Sequence, residues 1–253
     1  MPTIKRKTIF GIFTSITTEF MFIFRGLFLV KDMNKYFALF LSVILLFATG
    51  CRSYEPISSE NKNEIQTHLL EMVKIDQIAA FPKAGAYSNY SHEQWQAFKD
   101  SVFRTNHKTI ANYFSTYGYL GYNEVGEEGS NHFWLLVQHC DHDPKFQKRV
   151  LKKMDIQVKR KNANPKNYAY LFDRVQVNAG KKQLFGTQVD YLKTGRATPK
   201  YGLIDSVNVD QRRAKYSLPT LTEYLNDMTI MHFEMNKASY IESGYTEPDL
   251  YEL

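Results

Sequence analysis

Cysteine is nearly absent: Cys51 and Cys140 are the two thiols in 253 residues. A disulfide framework is therefore excluded, and stability has to come from packing. Aromatic side chains supply that core generously, with 18 Phe, 17 Tyr and two Trp. The short motifs that would name a reaction are missing too. There is no nucleophile elbow, no His-Glu-x-x-His, no glycine-rich phosphate loop and no recognisable Cys-His arrangement. No internal repeat is present. Charge of one sign is also scarce over most of the chain. The first 50 residues carry six of the 32 Lys and Arg and two of the 26 Asp and Glu, so 26 and 24 remain beyond them, a net of about +2. Nucleic acid is not expected as a partner, because the basic excess belongs to the leader.

What is there begins with that leader. Met33-Asn34-Lys35, the apolar stretch Tyr36 to Phe47 and then Ala48-Thr49-Gly50-Cys51 resemble a bacterial lipoprotein signal peptide over residues 33–50. The three parts are a basic start, an apolar run of about a dozen residues and small residues before the cleavage point. The run is shorter than the roughly 20 apolar residues of a membrane-spanning helix. Gly50 and Thr49 fit the pattern, while Ala48 stands where leucine is more usual. The resemblance implies cleavage before Cys51 and lipidation of its sulfur, with acyl chains such as palmitate holding the protein to the membrane of a cell envelope. Arg52 stands where an aspartate retains some lipoproteins at the inner membrane, which favours the outer membrane. Residues 1–32 are read as a non-native extension upstream of a start at Met33. The alternative is an N-terminal membrane span over Ile9 to Val30, against which Glu19 and Arg25 each cost about 2.5–3.5 kcal/mol at a bilayer centre.

The roughly 200 residues that follow can bury one core. Their pattern predicts a mainly α-helical single-domain bundle over 64–238, a polar tether over 51–63, a minor extended segment near 183–192 and a flexible tail over 239–253. Ile65, Leu69, Met72, Val73 and Ile75 recur at helical spacing. Ser91 and Gln94 form a capping-box pattern ahead of a stripe from Trp95 to Tyr117, which Gly118 ends. Residues 118–129 read as irregular, with Ser130 capping a short apolar helix. Asp143-Pro144 and Asn164-Pro165 each put a capping side chain before a proline suited to the first helical position. The alternation of Phe185, Thr187, Val189 and Tyr191 marks the extended segment. Short helices are expected over Val207 to Ala214 and from Pro219 onward.

Several blocks resemble a bacterial domain family of unknown function, number 6624. They are Trp134-Leu135-Leu136-Val137-Gln138-His139-Cys140-Asp141-His142-Asp143-Pro144 with Phe146-Gln147, and Tyr170-Leu171-Phe172-Asp173-Arg174-Val175. Gly180 with Gln183, Gly186-Thr187-Gln188, and Val209-Asp210-Gln211-Arg212-Arg213 leading to Leu218-Pro219 continue the pattern, and Asp76-Gln77 resembles its N-terminal element. The resemblance runs from about residue 64 to 228. It implies a domain and a set of residues without a reaction, because the family has no established activity.

The candidate functional cluster is Gln138, His139, Asp141, Asp143, Asp173, Arg174, Gln183 and Gln188. Imidazole with carboxylate is the chemistry of a divalent-metal site, for which His139, Asp141 and Asp173 are the candidates and His132 lies seven residues before His139. The same groups suit general acid–base catalysis, with His139 oriented by Asp141 or Asp173, Arg174 positioning an anionic group and the two glutamines giving hydrogen bonds. The third possibility is structural, polar groups cross-linking apolar helices. Asp143 also serves as a helix cap, and Cys140 beside His139 adds nothing, because adjacent helical residues point about 100° apart. The basic run Lys145 to Lys161 is a solvated helix face or a contact for anionic lipid headgroups. Together these observations lead to a lipid-anchored envelope protein acting as a binding or structural module for an envelope ligand or protein, with an envelope hydrolase at His139 as the alternative.

Overall fold

The computed structural model of the chain describes residues 54–252. The leader, Cys51 and residues 1–32 lie outside them. The described residues form eight α-helices and one small antiparallel sheet, so the fold is mainly α.

Helix α1, Ser59–Ala80, opens where the Ser58 hydroxyl accepts the Asn61 N–H. It buries Ile65, Leu69, Met72, Asp76 and Ala79, alternating steps of four and three along one face. This start lies inside the segment expected to be a tether. The entering chain is fixed because Glu55 N–H donates to Thr116 O at 2.9 Å and Ile57 packs on the core. A 3₁₀ turn, Gly85–Tyr87, leads to α2, His92–Tyr117, with the expected Ser91/Gln94 capping box and the stop at Gly118, whose φ of 79° suits glycine.

Helix α3, Tyr122–Gln138, corrects the irregular segment expected over 118–129. Gly121 is its N-cap, its N–H donating to the Glu124 carboxylate at 3.0 Å, and Ser130 lies buried within the helix. Within the segment the helix is interrupted at Val125 and Gly126, where Gly126 has φ 71°. Helices α4, Pro144–Lys159, and α5, Pro165–Val177, start as expected, with Asp143 Oδ1 accepting from Phe146 N–H and Asn164 Oδ1 from Lys166 N–H, both at 2.9 Å.

The extended segment is shorter than its alternation suggests. Strand β1, Val189–Tyr191, pairs with β2, Ala197–Pro199, with Asp190 opposite Thr198. Residues 183–188 form a loop held by side chains. Helices α6, Val209–Lys215, α7, Leu221–Met235, and α8, Lys237–Glu242, complete the chain. The tail differs from expectation as well: beyond α8 it docks on α7 and the hairpin, with Tyr251 N–H donating to Asn226 Oδ1 at 2.8 Å.

The main core joins α1 to α5 and includes Leu69, Ile110, Phe133, Leu136, Phe146 and Leu171. Smaller clusters around Phe185 and Leu218, and around Ala197, Tyr224 and Leu225, sit on the other side of α5, with Tyr170 packing against both.

Candidate functional site

The helical stripe of α1 carries an acid where an apolar residue belongs. Asp76 is fully buried, and its Oδ2 lies 2.6 Å from His139 Nδ1, at the C-cap of α3. Asn106, on the buried face of α2, donates to Asp76 Oδ1 at 3.4 Å, and the Gln77 amide donates to Oδ2 at 3.1 Å. A carboxylate only accepts, so the hydrogen at this contact sits on Nδ1 and the imidazole is held in one tautomer. The ring packs beside Phe103 at a centroid distance of 4.9 Å. Its side chain is 17% exposed, and Nε2 has no hydrogen-bond partner among the described residues. The structure thus gives His139 a buried acidic partner, but that partner is Asp76 rather than Asp141 or Asp173.

Asp141 belongs to a separate network one turn on. Arg174 grips it with two bonds, Nε to Oδ1 at 2.8 Å and Nη2 to Oδ2 at 2.6 Å, and Asn178 donates to Oδ1 at 2.7 Å. Gln147, fully buried on α4, donates to Asp141 Oδ1 and to the carbonyls of Val137 and Gln138, and accepts from Asn178. Burial pushes the Asp141 carboxyl up, but Arg174, Gln147 and Asn178 outweigh it and hold the group below the usual carboxylate range. Arg174 is therefore engaged within the protein, and Gln138 contributes its backbone carbonyl. Asp143 caps α4 and lies 3.7 Å from His107 Nε2, while His107 Nδ1 meets His142 Nε2 at 2.9 Å. Burial first, and then His142, pushes the His107 imidazole below its usual value.

Asp173, next to Arg174 on α5, serves a different part of the chain. It is fully buried and accepts the N–H groups of Leu184, Phe185 and Thr187 and the Thr187 hydroxyl. Burial pushes its carboxyl up, against the pull of those bonds. Gln183, also buried, bridges the same loop: its amide donates to the carbonyls of Gln188 and Lys200 and accepts the Gln188 N–H. Gln188 adds a bond from its amide to Thr187 Oγ1. Arg213 closes the far side of the loop, donating to Phe185 O at 2.6 Å and Pro219 O at 2.7 Å beneath the Tyr224 ring. These residues build a loop and leave no carboxylate oxygen for a substrate.

The eight candidates thus divide into four groups, around His139, Asp141, Asp143 and Asp173, and His139, Asp141 and Asp173 do not converge. Among the described residues no group of three or more His, Cys, Asp or Glu is arranged to hold a metal ion. His132 lies 3.9 Å from Glu128 instead. Cys140 is buried and its thiol is pushed up by burial, which makes it a poor nucleophile. Sequence reasoning missed Asp76, Asn106, Gln147 and Asn178 as partners. The first three carry a readable signal, a polar residue on the apolar face of its helix.

Searches of curated proteins and of solved structures returned no match. A family model does match, over residues 63–232, and it includes Asp76, His139 and all the other residues of the four groups. The chain belongs to the family of unknown function DUF6624.

Proposed function

We propose that this chain is a lipid-anchored protein of the bacterial cell envelope and that its helical domain binds an envelope ligand at His139. The leader ending at Cys51 supports the anchor. The observation that carries the site is the 2.6 Å contact between Asp76 and His139, which fixes the imidazole while leaving Nε2 open. Held in that tautomer, Nε2 is an acceptor for a hydroxyl or amide donor on the ligand, and Phe103 beside it offers an apolar face. The other polar residues of the cluster satisfy one another, which suits a rigid binding module.

The same contact favours one second reading, an envelope hydrolase in which His139 takes a proton from water and Asp76 stabilises the imidazolium. One experiment separates the two. The purified protein is incubated with peptidoglycan and envelope-glycan fragments, and both retained fragment and released product are measured for wild type, His139→Gln and Asp76→Asn. Binding predicts retention that falls about two- to tenfold in His139→Gln, the worth of one hydrogen bond, with no product. Hydrolysis predicts product whose release falls by about 10²- to 10⁴-fold. Retention by all three proteins alike, with unchanged melting, would remove His139 from the site. The mass of the N-terminal peptide tests the anchor independently.

A further inference from the structure

We infer that the outward face of α4 docks the domain on an anionic phospholipid surface. This rests on the lipid-anchor reading above. Lys145, Lys148, Arg149, Lys152, Lys153 and Lys159 are all exposed on this helix. At about 100° per residue they fall within an arc of about 140°, together with Arg160 at the C-cap. Ile156, 42% exposed, lies in the middle of the same arc. The one acid of the helix, Asp155, is paired with Lys159 at 2.5 Å. Among the described residues, Lys148, Arg149, Lys152 and Lys153 make no ion pair, so no acidic group of the domain neutralises their charge; Arg149 lies over the Phe146 ring at 5.7 Å. The apolar face of the helix, with Phe146, Val150 and Met154, is turned into the core, so the exposed face offers charge, the attraction that anionic headgroups answer.

The position of this face decides its partner. Tyr54 is the first described residue, and its ring lies 5.1 Å from Lys153 Nζ. The same ring rests against Gly118, where an added Cβ would come within 2.9 Å of it, and the Glu55 N–H ties the segment to α2. The chain therefore enters the domain beside α4. A cleft of about 550 Å³ opens there, with Lys62, Lys153 and Arg160 in its wall alongside Glu55 and Glu124. Cys51 is three residues before Tyr54, a span of at most about 10 Å. An acyl chain on Cys51 thus enters the bilayer within about 15–20 Å of Lys153, about two Debye lengths from the near end of the basic face. Each Lys or Arg so placed is attracted to anionic headgroups, and the tether makes the encounter intramolecular. The anchor retains the protein; the face fixes how the domain lies on the membrane.

The test uses the protein purified with its lipid and reconstituted into vesicles of phosphatidylcholine, alone or mixed with phosphatidylglycerol. Lysines are acetylated with a water-soluble reagent and quantified by mass spectrometry, with Lys181 and Lys237 as exposed controls. Docking predicts that labelling of Lys148, Lys152 and Lys153 falls about fivefold or more in the anionic vesicles, the factor that one basic residue contributes at such a surface. Added salt restores it, and Arg149→Glu with Lys152→Glu abolishes the difference at Lys148 and Lys153 without changing the melting temperature. Equal labelling in both vesicles, with the lipid on Cys51 verified by peptide mass, overturns the docking and leaves the anchor standing. A Cys51 without lipid overturns both.

Discussion

At Asp141 a single carboxylate accepts four side-chain donors, two from Arg174 and one each from Gln147 and Asn178. Its folded pKa lies below the unfolded value of about 3.9, so the stabilisation is present at neutral pH and is lost as pH falls below about 4 through the folded value. Because the side chain is 44% exposed, solvent screening limits the expected worth of the charge to about 1 kcal/mol. Asp141→Asn should cost about that much at neutral pH, and its gap to wild type should narrow progressively as pH falls below about 4, as read by urea unfolding. A gap that stays constant across that range would show that the charge contributes nothing. His139 and Asp141 were legible as candidates because polar residues crowd one short motif, and Arg174 because it stands beside Asp173 in the block Tyr170 to Val175. Their partners were harder to read. Asp76 is 63 residues from His139, and only its place between Met72 and Ala79 on an apolar stripe marks it as a buried acid that needs a donor.

Elements were legible where their caps are local. Ser91 with Gln94, Asp143-Pro144 and Asn164-Pro165 each satisfy a helix end with neighbouring residues, and those starts came out as expected. The start of α3 was not legible, because much of its cap comes from another part of the chain. Asn162, in the turn between α4 and α5, accepts Tyr122 N–H on its carbonyl at 3.0 Å and Asn123 N–H on Oδ1 at 2.7 Å, 39 residues away in sequence. Its amide also donates to Glu124 at 2.9 Å. This close approach requires Gly121: an added Cβ would lie 2.4 Å from both the carbonyl oxygen and the amide nitrogen of Asn162. Gly121→Ala should therefore push two capping atoms apart and destabilise the fold by about 1–3 kcal/mol, the range for overpacking a tight site. Chemical denaturation gives the number, and a loss under about 0.5 kcal/mol, that of an ordinary surface change, would show that the turn yields and the cap is not rigid.

On the scale of the whole molecule, α5 divides the packing. Leu171 belongs to the main helical core, whereas Ala169 belongs to the cluster with Phe185 and Leu218, and Asp173 on the same helix holds the loop before the hairpin. The hairpin has only three paired residues on each strand, and two strands of that length are marginal without support. Much of that support comes from the tail. The Tyr251 hydroxyl donates to Ala197 O at 2.9 Å, its ring lies 4.8 Å from the Arg196 guanidinium, and its backbone exchanges two bonds with Asn226 on α7. Arg196 also pairs with Asp249. Sequence composition could not show this, because a polar segment after Gly244 looks the same whether it is loose or pinned by one aromatic residue. Tyr251→Ala should open the hairpin locally. Exchange of the Leu192 and Lys200 amides, which bond to Arg196 O and Gln188 O, should rise about tenfold or more, the worth of a lost hydrogen bond and its packing. Amides of α3 within the main core should keep their protection. An equal rise in both regions would mean that the hairpin opens only when the whole domain unfolds, so the two sides of α5 would then form one cooperative unit.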